Sequence, residues 1–458
     1  MWTSWRTLPR VSIYGLTPTN NNPRPSEIKA PPICLLLVSL ILAGETYGDG
    51  GLAPPGNADK IEDLMRRLGS SRFEDRERAA RSLETLGDSV LPFLHRAASQ
   101  SDQAEIRRRA SDIANVIVNR ASEGQEVKRL RGPDNTVSRA LFLPDGKRIV
   151  FGSEGDNRDT SIRLWSIERD AEIGRLNGHL ASIGALAVSP CGTRLLSGGF
   201  HTINGQDYTV RLWDLEKNQQ LLQIEAHDLP IRSVAFSTDG RYALSTSGGS
   251  ISKDKTSIPV DCVTKVWDLA NGKQIQRLEG HEKLVSQAIF LDDDRSILSS
   301  SWDGTLRLWS RDPGREVRRI VDKGAISGFV VSPDGRRLVV FGGFHLLKDG
   351  RVIMADNSHR VIDLESGAMK NETRDHAGVV LAAAFSPDGR RILTGKSDRK
   401  VQLWDAETGH EVRRFLMHAK DEKRSSNVAV VAVAFSKDGR KALAASRDGS
   451  VQIWQLPN

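Results

Sequence analysis

Residues His376 to Trp404 read HAGVVLAAAFSPDGRRILTGKSDRKVQLW, and variants of this stretch recur through most of the chain. Val379 to Phe385 is a short apolar run without polar alternation, which predicts a strand covered on both faces. Pro387, Asp388 and Gly389 predict a tight turn, Pro presetting a negative φ and Gly supplying a positive one. Arg391 to Gly395 then predicts the second strand of a hairpin. Lys400 to Trp404 predicts a third, in which Val401 and Leu403 alternate with Gln402 and Trp404. Asp405 to Gly409 turns the chain again, and Glu411 to Phe415 completes the unit. Four antiparallel strands in about forty residues have the size of one propeller blade.

Successive copies end at Trp165, Trp213, Trp267, Trp309, Ile362, Trp404 and Trp454, with spacings from 42 (309−267) to 54 (267−213) residues. An Asp stands six residues before every end point: Asp159, Asp207, Asp261, Asp303, Asp356, Asp398 and Asp448. On these residues, with GH near the start and WD at the end, the repeat resembles the WD40 family in its bacterial form. The resemblance implies that each such Asp accepts a hydrogen bond from the repeat's His, here His179, His227, His281, His376 and His418. Pro133 and Asp322 stand in its place in blades one and five, where a weaker buried network is expected.

The third strand of the seventh copy ends at Trp454, and no fourth strand follows it. Glu126 to Leu130 (EVKRL) matches the fourth-strand stretch Glu172 to Leu176 (EIGRL) and has no blade of its own before it. The two ends are therefore expected to pair and close the ring, removing the sheet edges of an open array. The expected fold is mainly β: a seven-bladed WD40 propeller over 125–458, closed by an N-terminal strand and preceded by a small helical module over 58–120.

In that module Ile61, Leu64, Met65 and Leu68 follow a helical period behind Asp59 as cap. Ser71 with Glu74 reads as a capping box for a helix with Ala79, Ala80, Leu83 and Leu86 inward. A third helix runs from Asp88 to Ala98. A fourth spans Ser101 to Val118, with Ile106, Ala110, Ile113 and Ile117 inward. Asp102, Ile106, Arg107 and Ala110 resemble the second helix of a HEAT-type repeat. About sixty residues give too few repeats for a continuous core, so docking on the propeller or on a partner is expected. Arg66, Arg67, Arg76, Arg78, Arg81 and Arg107 to Arg109 read as a solvated face balanced by glutamates.

Residues 1–57 form a polar leader and linker interrupted by Ile33 to Ala43 (ICLLLVSLILA). This run is too short to span about 30 Å of hydrocarbon but matches a signal-peptide core. Export is expected, as a periplasmic, secreted or membrane-anchored protein, with membrane contact only through 33–43 if uncleaved; a cytoplasmic location is the alternative. Cys34 falls in this run, and Cys191 and Cys262 fall at opposite ends of the ring, so neither of the latter is expected in a disulfide. A net charge of +7, with 65 basic residues scattered among 58 acidic ones, gives no basic stripe, and no specific nucleic-acid partner is expected.

The tight turns between first and second strands leave the insertions elsewhere: Glu154 to Arg158, Gly198 to Gln206, Gly248 to Val260, Gly342 to Ala355 and Ala419 to Asn427. All five emerge at one end of a propeller, and elaborated loops on a rigid scaffold mark a contact surface. Trp302 precedes Asp303, and Arg158 and Arg447 precede the equivalent Asp in blades one and seven. With Gln206, Phe200 and Phe344 they are the candidate partner-binding residues, since Trp and Arg dominate binding hot spots. The repeated GGFH at Gly198 to His201 and Gly342 to His345 falls on blades too far apart to share a metal. No phosphate loop, GxSxG or HExxH is present. The expected function is a non-enzymatic scaffold that binds one or more proteins, without a cofactor, metal or catalytic residue. The alternative is a small-ligand sensor or hydrolase using the same face.

Overall fold

The computed structural model describes residues 55–120 and 126–456, apart from 134–135, 155–158, 203–204, 254–255, 292, 323, 343, 347–351, 356–357, 375–377 and 419–427. Seven four-stranded antiparallel sheets follow one another. In the sixth the strands are Val380–Phe385, Arg391–Lys396, Lys400–Asp405 and Glu411–Leu416. First strands of neighbouring blades touch all round, and that of blade seven returns to that of blade one. They are therefore the innermost strands of a closed ring. Glu126–Leu130 pairs antiparallel with Val451–Gln455 and completes the seventh sheet.

The first strand is not the deeply covered one that its composition predicts. Val380–Phe385 is mostly half-buried, and Leu381 is exposed, because this strand faces the axial channel. Arg391–Lys396 is buried along all but its first residue. A second strand has another strand on each edge and a neighbouring blade on each face, so it excludes water most completely.

The turns work as predicted and also join blades. Ser386 Oγ donates to Asp388 and accepts from the Arg391 backbone N–H at 2.8 Å, while Gly389 takes φ 68°. Arg391 Nη2 then reaches the Gly439 carbonyl of the next blade at 2.9 Å, as Arg337 reaches Gly389 and Arg194 reaches Gly240. In blade four the exceptional turn places Asp293 and Asp294 at positive φ, and Asp294 accepts from Thr238 N and Oγ1 of blade three. The departure from Pro-Asp-Gly has become an inter-blade clamp.

Helices α1 (Pro55–Arg67), α2 (Phe73–Leu86), α3 (Leu91–Gln100) and α4 (Ala104–Arg120) bury the predicted apolar faces in one core of their own. Two caps differ. α1 begins before Asp59, and α2 begins after Arg72 without a side-chain cap, since Ser70 rather than Ser71 accepts from the Arg72 N–H. The arginines are largely tied within the module, Arg109 to Glu77 and Glu105, and Arg67 to Asp63.

α4 packs on the outer strand of blade six, Glu411–Leu416. Each outer strand carries a bulge beside its pairing with the third strand, and the bulged residue points away from the ring. Val127, Ile173, Leu221, Ile275 and Val317 at this position are 38% to 61% exposed. Val412 is the half-buried one, and Arg414 is likewise more covered than its counterparts Arg129, Arg175, Arg277 and Arg319. The helical module has taken one outer strand and left the others to solvent. Among the described residues no helix is long and apolar enough to cross a membrane; segment 33–43 lies outside the described residues.

Candidate functional site

Among the described residues, three blades carry a buried relay that pins the loops of one face to the core. In blade two, His179 Nδ1 donates to Asp207 Oδ2 at 2.8 Å, and Nε2 meets Ser197 Oγ at 2.6 Å. That hydroxyl also accepts from Trp213 Nε1 at 2.7 Å. Blade three repeats it with Asp261, His227, Ser245 and Trp267, and blade four with Asp303, His281, Ser299 and Trp309. Burial outweighs the Asp207 charge and lowers the His179 pKa. Burial alone would raise Asp207, but bonds from His179, Thr209 and Leu180 hold its carboxyl well below the usual range. The pair is a neutral imidazole on a carboxylate, fully enclosed and closed to any substrate.

The relay needs a hydroxyl on the second strand, which sequence spacing between His and Asp did not reveal. Thr394 supplies it in blade six, accepting from Trp404 Nε1 at 2.8 Å, whereas Phe151, Val340 and Ala444 occupy this register in blades one, five and seven. Trp165 consequently donates to Asp170. Asp159 pairs with Arg163, and in blade five Asp322, the residue in the His position, forms a buried ion pair with Arg360 at 2.7 Å. The network there is replaced rather than merely weakened. His418 does not join the relay: it is exposed, and Asp448 receives the Ser446 hydroxyl instead. With Ala444 in the register there is no hydroxyl to hold an inward imidazole. His376 and Asp356 lie outside the described residues; Asp398 pairs with Lys400 at 2.8 Å.

The insertions of blades two, three and five each fold into a two-stranded ribbon: 201–206, 249–260 and 344–355. All leave from second strands, opposite the Pro-Asp-Gly turns. Trp302 is half-buried on the same face, in the turn after Ser296–Ser301, and its backbone N–H donates to the Leu284 carbonyl. Gln206 is exposed at the end of the first ribbon, and Phe344 opens the third. Phe200 lies under the Arg232 guanidinium, 4.7 Å from ring centroid to Cζ. Arg447 is engaged with Glu154, its Nε at 2.9 Å from Oε2, which ties blade seven to blade one. Arg158 lies outside the described residues. Arg139 and Arg232, near the axis, were not among the residues singled out from sequence.

A second titratable contact lies where the helices meet the ring. His95 of α3 stacks on His410, centroids 4.4 Å apart, just before the outer strand of blade six. Burial and the His410 charge bring His95 down to about 4, against the opposing Asp405, and burial also lowers His410. An unfolded or undocked His titrates near 6.5. The contact is thus fully effective above about pH 6.5 and is lost as pH falls towards 4, because the open state then holds more protons. We expect amide exchange in 91–100 to accelerate over that interval, and the acceleration to be blunted in His95→Gln. An unchanged profile in that variant would place the acid sensitivity elsewhere.

The WD domain, G-beta repeat model matches residues 124–166, 171–214, 218–268, 272–310, 368–405 and 420–455. The chain belongs to this family. The stretch between 310 and 368 that escapes the match is blade five, in which Ile362 and Asp322 replace the usual Trp and His. Similar proteins include Pre-mRNA-processing factor 19 homolog 2 of Arabidopsis thaliana, 29% identical over 35% of this chain and 29% of that protein. Autophagy-related protein 16 of the same plant is 27% identical over 31% of this chain and 26% of its own length. Small ribosomal subunit protein RACK1 of Drosophila melanogaster is 28% identical over 35% of this chain and 61% of its own. The chain thus spans less than two thirds of each, and these relatives are eukaryotic, so they lend nothing to the bacterial form of the resemblance.

Proposed function

We propose that this protein is a non-enzymatic scaffold that binds a protein partner on its ribbon-bearing face. The observation that carries the reading is that three independent insertions fold as ribbons on one end of a closed ring, around Trp302 and Phe200. Such a face is rigid below and variable above, which suits recognition. The His and Asp pairs that resemble catalytic dyads are sealed inside blades, so they supply rigidity to the same face. Membership of the family and the subunit name of one relative, the small ribosomal subunit protein RACK1, support this reading. Capture from the native host should return a partner with wild type and lose it with Trp302→Ala, Arg158→Ala, Arg447→Ala, provided the variant melts as wild type does. Retention by both would move the contact to the helical module.

The helices serve in this reading as a HEAT-like buttress on blade six. Export is supported by the apolar run 33–43. Sequencing the mature N-terminus should find it downstream of Ala43; an intact N-terminus in a soluble fraction would leave the cytoplasmic alternative.

A further inference from the structure

We propose that the axial mouth on the ribbon-bearing face seats an anionic side chain, a carboxylate or phosphoryl group, carried on a segment of the partner protein. The proposal rests on the face assigned above. Arg139 lies in the first strand of blade one, opposite Gly152, and Arg232 immediately precedes that of blade three, its N–H on the Thr246 carbonyl at 2.9 Å. Both positions are level with the ends of the second strands, where the inserted segments leave. Blade two, between them, contributes only Gly184 and Ala185 at this level. The bare Gly184 admits the Phe200 ring, since a Cβ there would stand 2.9 Å from Phe200 Cδ2. Phe200 in turn supports the Arg232 guanidinium.

In blades one, two, four and five the arginine of the third strand is given an acid. Arg163 has Asp159 and Glu172, Arg211 has Asp207, Arg307 has Asp303 and Glu316, and Arg360 has Asp322. Near the axis, among the described residues, no carboxylate is paired with Arg139 or Arg232. Arg139 donates to the carbonyl of its own neighbour Ser138, and Arg232 Nε is buried without an acceptor among the described residues. Arg447, the third cation of the group, is neutralised by Glu154. Arg139 is exposed to solvent although protein surrounds it, as a side chain projecting into a channel must be. Burial and the charge of Arg447 lower its proton affinity; burial and the charge of Arg139 bring Arg232 down to about 10.

Like charges held close together oppose folding, and a bound anion would relieve that opposition while accepting paired guanidinium hydrogen bonds. The aromatic face of Phe200 beside them suits the hydrocarbon stem of a side chain better than a free ion. Residues held for a ligand rather than for the fold should cost stability when the ligand is away.

The test uses the full chain with fluorescein-labelled glutamate-rich, phosphoserine-bearing and glutamine-rich peptides, and inorganic phosphate as competitor. An acidic peptide is expected to bind wild type, to weaken at least about tenfold in Arg139→Gln, Arg232→Gln, and to change less than about twofold in the outer-strand control Arg175→Gln. The double variant should melt no lower than wild type, whereas a structural role would lower its Tm. Equal binding by both, or no binding of any acidic peptide, overturns the proposal. Binding of phosphate with no gain from a peptide makes this a small-anion site and also overturns it. If capture loses the native partner with Trp302→Ala but not with the arginine variant, the face stands and the seat falls. If both variants keep it, the face assignment itself has failed.

Discussion

Deleting Glu126–Leu130 should abolish soluble monomer, although the segment is only one strand of a large ring. Leu130 is buried with Val137, Phe151, Ala445 and Val451, where blades seven and one meet. Lys128 Nζ donates to the Ile167 carbonyl of blade one at 2.6 Å, and the Arg131 N–H reaches Asp170. The strand therefore fastens two blades as well as completing one sheet. Truncating Leu130 alone to Ala should cost about 2–5 kcal/mol. Losing the whole strand removes that contact and the ladder to Val451–Gln455 together, and leaves an open edge that can pair with another chain. A domain's entire margin is about 5–15 kcal/mol, so the expected result is aggregate in size-exclusion chromatography. Removing residues 55–120 while keeping 126–130 is the matching control. The helices have their own core and reach the ring chiefly at blade six, so that truncation should leave a monomeric propeller with a cooperative melt. Soluble, monomeric protein from the five-residue deletion would show that the ring does not depend on this closure.

The ring was legible because a repeat multiplies weak local signals. One Pro-Asp-Gly turn predicts a hairpin; turns of this kind in register with recurring Asp and Trp predict a blade size and a blade number. The closing strand could be found for the same reason, since EVKRL is a fourth strand without its blade. Where a property depends on what lies opposite rather than on the repeat itself, sequence reading faltered. The apolar first strand faces a channel, so its composition overstated its burial. The ribbons were visible as added length but not as strands, because Gly249–Lys253 and Thr256–Val260 lack an apolar alternation that marks a covered face.

The seat of the helical module shows the limit most clearly. Val127, Ile173, Leu221, Ile275, Val317 and Val412 are equivalent apolar residues on equivalent bulges. Nothing local distinguishes the one that α4 covers. His410 does stand out, as a titratable ring beside that bulge, but its stacking partner His95 is far away in sequence and carries no motif. The channel arginines were missed for a related reason. Their significance is that no carboxylate among the described residues pairs with them, and pairing in space is decided by the closed ring rather than by neighbours in the chain.

His179→Ala and His418→Ala should separate the relay from its sequence signature, since the two histidines occupy the same place in the repeat and differ in surroundings. Removing the His179 ring deprives buried Asp207 of a hydrogen bond to its charge and leaves Ser197 without its inner partner. Asp207 retains the Leu180 and Thr209 N–H groups and the Thr209 hydroxyl, so the expected loss is about 2–4 kcal/mol rather than collapse. Asp207→Ala should cost more, because it strands the Arg211 guanidinium as well as His179, Leu180 and Thr209. His418→Ala, at an exposed side chain, should stay within about 0.5 kcal/mol of wild type. The acid limb carries the same signature. Asp207 titrates far lower folded than unfolded, so its contribution is complete above about pH 4 and is lost as pH falls further. In denaturant melts of the three variants at pH 7 and pH 3, the gap between wild type and Asp207→Ala should therefore narrow at pH 3 without closing, because the folded carboxyl is still ionised there. A His418→Ala cost equal to that of His179→Ala would mean that the Asp and His pair matters wherever the repeat places it. A small cost confined to His418 would mean that the second-strand hydroxyl, Ser197 in blade two and missing at Ala444 in blade seven, decides which blades are locked.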